Sequence, residues 1–112
     1  MIELAEDEQQ VFTEQMINKA LKGKTPSENP TFYALIGAPG SGKSTLASTI
    51  DNAVVISSDY IIGEYAKTMG IDIREDFHDP EIGRFATKVS NEIYKAAVKN
   101  KMNICLLYTS DA

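Results

Sequence analysis

"YALIGAPGSGKSTLA", residues 33–47, passes from an apolar run through glycines at 37, 40 and 42 into Lys43 and Ser44, and then into good helix formers. Gly37 to Ser44 fit the pattern G-x-x-x-x-G-K-[ST], and they do so after an apolar strand-like run and at the opening of a helix, where that pattern has physical meaning. The glycines let the backbone turn tightly, so successive N–H groups point inward and form an anion cradle. A triphosphate fits such a field. Lys43 would reach its β- and γ-phosphates as a point charge, and the Ser44 hydroxyl would ligate a bridging Mg²⁺. The expected nucleotide set is therefore Gly37, Ala38, Pro39, Gly40, Ser41, Gly42, Lys43, Ser44 and Thr45, with ATP and Mg²⁺ as cofactors. The plainer alternative is a tight glycine turn with Lys43 in solvent.

Working outward, "TFYALI" ahead of the loop reads as a buried strand and "KSTLASTI" behind it as a helix. "AVVIS" (53–57) is a second strand, "DYIIGEYAKTM" (59–69) a helix weakened by Gly63, and "NICLLY" (103–108) the start of a third strand. Toward the N-terminus, Phe12, Met16, Ile17, Ala20 and Leu21 recur at helical spacing between an acidic start and a basic, glycine-stopped end. "KTPSENP" is a linker, and "GIDIREDFHDP" a connector that delivers Asp79 and Pro80 as a helix start. The helix that follows carries Ile82, Phe85, Ala86, Val89, Ile93, Ala96 and Ala97 on one stripe. Strands that alternate with helices, each a continuous apolar run, imply an α/β fold with a parallel sheet covered on both faces.

The chain of 112 residues is 43% apolar and 24% charged, which describes one globular domain at most. Its net charge of -5 argues against a general affinity for nucleic-acid backbone or acidic membrane. The start "MIELAEDEQQ" is acidic where a secretory signal is basic, and no apolar run approaches the roughly 18 residues a bilayer span needs. A cytoplasmic protein is expected, and the lone Cys105 forms no internal disulfide.

The receiver of a phosphate is sought at the carboxyl ends of the strands, where ligand groups gather in open α/β sheets. "VVISSDY" puts Asp59 there, expected one strand over from the glycine loop, as a carboxylate able to take the proton of an attacking hydroxyl. The competing reading makes Asp59 the N-cap of the helix "YIIGEYAK". His78 lies in an acidic connector with no second His or Cys near it to support a metal, and Arg74 and Arg84, though able to reach a phosphate, read as ordinary surface charges.

From about Phe12 to Ile104 the chain resembles the zeta-toxin-like P-loop kinases, with the phage-type polynucleotide kinases as relatives. The resemblance rests on the leading helix ending in "KGK", on "ENPTFYALIGAPGSGKSTL", on "SSD" after the second strand, and on the long helix closing in "KNKMNI". It implies a P-loop NTPase-type parallel sheet with flanking helices and transfer of the ATP γ-phosphate to a hydroxyl, with Asp59 as the base and Lys43 as its catalytic companion. The acceptor implied is a small molecule, a UDP-activated amino sugar, and an antitoxin partner is implied with it. A substrate-contacting carboxylate of the family falls at Asn91 and is carried to the adjacent Glu92. Polynucleotide kinases commonly place an arginine three residues after the aspartate, where this chain has Ile62, which favours a small acceptor over a nucleic-acid 5′-hydroxyl. A P-loop ATPase without kinase activity, or a non-catalytic nucleotide-binding module, remains the alternative from another class.

The resemblance stops at Ile104, and "CLLYTSDA" follows. Those residues equal the translation TGT CTC TTA TAC ACA TCT GAC GCT of a transposon-end adapter. The organisation expected is an N-terminal helix and linker over 1–30, the N-terminal part of a kinase domain over 31–104, and a non-native tail over 105–112. The sheet would then be truncated after about its third strand, and the chain as given would be inactive in transfer.

Overall fold

A computed structural model describes residues 6–37, 42–70 and 80–109. Helix α1 (Glu6–Leu21) opens on Glu6, Asp7 and Glu8 and closes near Lys19, a charge order that suits the helix dipole. It buries Phe12 and Met16 and lays Ile17, Ala20 and Leu21 against the same core. Strand β1 (Phe32–Gly37), helix α2 (Lys43–Ala47), strand β2 (Ala53–Ser57), helix α3 (Ser58–Met69), helix α4 (Pro80–Lys99) and strand β3 (Asn103–Thr109) follow.

The three strands form one parallel sheet in the order β1-β3-β2. Val54, Ile56 and Ile104 face α1, α3 and α4 and meet Ile61, Tyr65, Ile82, Ala86, Val89, Ile93 and Ala97 in the main core. The α4 contribution recurs at steps of three and four residues, the period that keeps one helix face on a sheet. Phe12, Tyr65 and Phe85 close the far end of this core, with ring centroids 5.2 to 5.9 Å apart. On the opposite face a smaller cluster joins Ala47, Ala53 and Cys105 with Leu35, Ile50 and Leu107. Cys105 is fully buried there, and burial pushes its thiol pKa up, so it packs as a small apolar group. The stretch 105–112 thus contributes Cys105 to Thr109 to the central strand.

Two asparagines tie the linker after α1 to the sheet. The Asn52 side-chain amide accepts from Thr25 N–H at 2.8 Å and donates to the Thr25 carbonyl at 3.0 Å, reproducing the paired bonds of a neighbouring strand. Asn103 Oδ1 accepts from Thr31 N–H at 2.9 Å, and Ile104 N–H donates to the Thr31 carbonyl at 2.9 Å.

Two expectations need correction. Cover on both faces is incomplete at the two edges, where Phe32, Tyr33 and Ile36 of β1 and Val55 of β2 stay exposed, although Tyr94 of α4 packs on Phe32 and Leu35 packs against the cluster that holds Ala47 of α2. Helix α2 also ends at Ala47, short of the expected Ile50. Ser48 and Thr49 turn their hydroxyls back onto the Thr45 and Leu46 carbonyls at 2.6 and 2.7 Å, which competes with helix propagation. The connector 71–79, with His78, Arg74 and Asp79, lies outside the described residues.

Candidate functional site

The glycine loop is framed at both ends. Gly37 is the last residue of β1, and Gly42 stands at the entrance of α2 with φ +89° and open space where a Cβ would project. That left-handed conformation is one glycine adopts without steric cost. Leu46 N–H donates to the Gly42 carbonyl at 3.0 Å and starts the helical bonding, while Lys43 sends its Nζ back to the Gly37 carbonyl at 3.0 Å. The ammonium is therefore held across the mouth of the loop, part-buried, with a carbonyl oxygen as its acceptor. Thr45 is exposed on α2. Ala38, Pro39, Gly40, Ser41 and the side chain of Ser44 lie outside the described residues.

Asp59 lies in the first turn of α3, exposed at the carboxyl end of the sheet. The expectation that it stands one strand from the loop is corrected by the strand order, because the crossover through α4 inserts β3 between β1 and β2. Leu35 and Ser57 both register with Leu107, so β1 and β2 end close to one level, with Gly37 closing β1 and Asp59 following β2 in the first turn of α3. Two interstrand spacings separate their strands, about 10 Å. The cap reading of Asp59 is corrected as well. Ser57, with extended backbone at φ -138° and ψ 119°, is the N-cap, and its hydroxyl accepts from Tyr60 N–H at 3.3 Å. Asp59 is one of the first-turn acids that the helix dipole favours. Sequence reasoning missed Ser57 although its residue type was visible, since which of several adjacent polar residues caps is decided by backbone conformation.

Glu92 sits midway along α4 beside the buried Ile93, partly exposed, and pairs with Lys95 one turn on at 3.5 Å. Arg84 is exposed on α4. Among the described residues no group of three or more His, Cys, Asp or Glu is placed to hold a metal ion. Among them, too, no helix is long and apolar enough to cross a membrane.

Fold and loop together define a class: a parallel α/β sheet flanked by helices whose first strand runs into a G-x-x-x-x-G-K-S turn. Within that class the chain is similar in fold to a solved chain from the PezAT chromosomal toxin-antitoxin system of the human pathogen Streptococcus pneumoniae, with a TM-score of 0.73 at 20% identity over 96% of this chain. The chain spans 47% of that neighbour's length. No protein-family model matches it, and no curated protein sequence does.

Proposed function

We propose that the chain is the nucleotide-binding, N-terminal part of a longer zeta-toxin-like kinase that moves the γ-phosphate of ATP to a hydroxyl of a small molecule, a UDP-activated amino sugar. The observation that carries this reading is the Lys43 ammonium bonded to the Gly37 carbonyl at the end of β1, with Asp59 opening α3 at the same, carboxyl end of the sheet. Arrival of a phosphate would exchange the Gly37 carbonyl for a charged acceptor at Lys43, which strengthens the bond. Asp59 would hold the acceptor hydroxyl and take its proton, and positioning with charge stabilisation supplies the rest. Ser44, at the start of α2, would hold Mg²⁺, and the ion would supply positive charge to offset that of the phosphates.

Likeness to a toxin-antitoxin chain supports an antitoxin partner and a cytoplasmic setting for the longer protein. Glu92 would contact the acceptor after giving up Lys95. The rival reading, a polynucleotide 5′-hydroxyl kinase, wants an arginine where Ile62 stands, and Ile62 is only 8% exposed in the main core. The reading is tested by supplying the longer protein with labelled ATP, Mg²⁺, a UDP-activated amino sugar and a 5′-hydroxyl oligonucleotide. Label on the sugar alone supports it. Label on the oligonucleotide, or release of phosphate with neither acceptor labelled, would replace it.

A further inference from the structure

On the flank of the sheet away from the glycine loop, a cavity of about 320 Å³ opens beside β2. Met16, Ala20, Val55, Ile61 and Ile93 give it apolar walls, and its polar groups are Ser57, Tyr60, Lys19 and Lys24. Strand β2 is the edge strand opposite β1, so β3 and β2 both stand between this cavity and the loop strand. It is therefore separate from the glycine loop, while Ser57 and Tyr60 place its rim next to Asp59 in sequence.

We infer that this cavity binds a small planar molecule with an apolar body and a single anionic group, a carboxylate or a monophosphate. Size and lining agree with such an occupant, since ligand cavities of roughly 300–1,000 Å³ are walled mostly by apolar groups and oriented by a few polar ones. Charge points to an anion. Glu64 alone serves both Lys19 at 3.3 Å and Lys67 at 3.6 Å, and Lys24, half-buried, has no carboxylate partner among the described residues. With Asp59 counted beside Tyr60, Lys19, Lys24 and Lys67 still outnumber the carboxylates Glu64 and Asp59 at this corner of a chain of net charge -5. Tyr60 is half-exposed and offers a ring face for a planar body. The Ser57 Oγ accepts from Tyr60 N–H and keeps its own proton to donate.

The test uses the chain as given, with 2-naphthoate as the anionic probe and 2-naphthamide as its neutral counterpart, followed by ligand-observed NMR. A probe of this size should bind with a Kd on the order of 1 mM. Naphthoate should bind about tenfold more tightly than naphthamide, as a charge-assisted hydrogen bond provides. Lys24→Gln should erase that preference, Tyr60→Ala should weaken both probes, and Lys43→Ala should change neither. Equal binding of the two probes, or a naphthoate affinity untouched by both Lys24→Gln and Tyr60→Ala, overturns the inference. The exposed β1 face would hold both probes alike, so it cannot produce the charge preference.

Discussion

Lys43 donates to the carbonyl of Gly37 at 3.0 Å, so the two ends of the glycine loop are joined by the side chain expected to meet the phosphate. A part-buried ammonium that already has an acceptor is preorganised, because little rotamer freedom is left to lose when a stronger acceptor replaces the first.

Replacing Lys43 with Ala removes both that tether and the charge. In the proposed longer protein, Mg²⁺-ATP affinity should fall by about 1.5–3 kcal/mol, the worth of a charge-assisted hydrogen bond, or roughly one to two decades in Kd. Titration calorimetry reads this directly. Equal affinity in wild type and variant would take Lys43 out of phosphate binding.

Asp59→Asn keeps the size and polarity of the side chain while removing the base. Since Ser57 and not Asp59 caps α3, the variant should cost no more than the roughly 0.3–1 kcal/mol that a first-turn acid gains from the helix dipole. Phosphoryl transfer should drop about 10²- to 10⁴-fold, the range of general-base contributions, with nucleotide affinity preserved. A transfer rate within a few-fold of wild type would leave Asp59 as a first-turn helix acid only. Ser57→Ala separates the two roles, because it should cost about 1 kcal/mol of stability through the lost cap.

Glu64 joins α1 to α3 through Lys19. Burial works to raise its carboxyl pKa, but the hydrogen bond and charge of Lys19, with Lys67 adding to them, bring it below its ordinary 4.5. A carboxylate whose folded value is depressed stabilises the fold above the unfolded value and loses that contribution as pH falls through the folded one. Because both lysines are largely exposed, Glu64→Gln should cost only about 0.2–1 kcal/mol at pH 7. The gap between wild type and variant should close below the ordinary carboxylate range. Urea melts across acid pH measure it, and a gap independent of pH would refute the ion-pair account.

Much of this arrangement was legible because it is local. The apolar runs at 53–57 and 103–108, and the α4 stripe from Ile82 to Ala97, identify strands and helix by their own period. The glycine loop announces itself through residue types that few other turns require. The strand order was not legible, since nothing in "VVISSDY" says that β3 will come between it and the loop strand. That depends on which way the α4 crossover packs, a property of the whole sheet. The choice of Ser57 as cap, and the back-bonding of Ser48 and Thr49 that ends α2, turn on single backbone angles among adjacent residues with similar propensities. The exposure of β1 escaped as well, because an apolar strand reads alike whether or not a neighbour covers it.

That exposure has a physical consequence. Phe32, Ala34 and Ile36 register with Ile104, Leu106 and Tyr108 and so share the sheet face of the main core, yet they stay exposed, with Tyr94 of α4 meeting only Phe32 in a ring contact. Ile36 is 70% exposed, and Phe32 is half-exposed with its ring T-shaped to that of Tyr94. On its outer side β1 pairs with no strand among the described residues. An apolar face beside an open strand edge is a template for pairing with another copy of itself. The chain should therefore self-associate, its mass in light scattering rising above 12.3 kDa as concentration increases. Charge placed on the face opposes edge pairing, so the double variant Phe32→Lys with Ile36→Lys should return the chain toward a monomer while leaving its helical content intact. A wild-type chain that stays monomeric at millimolar concentration would show that this face needs no cover.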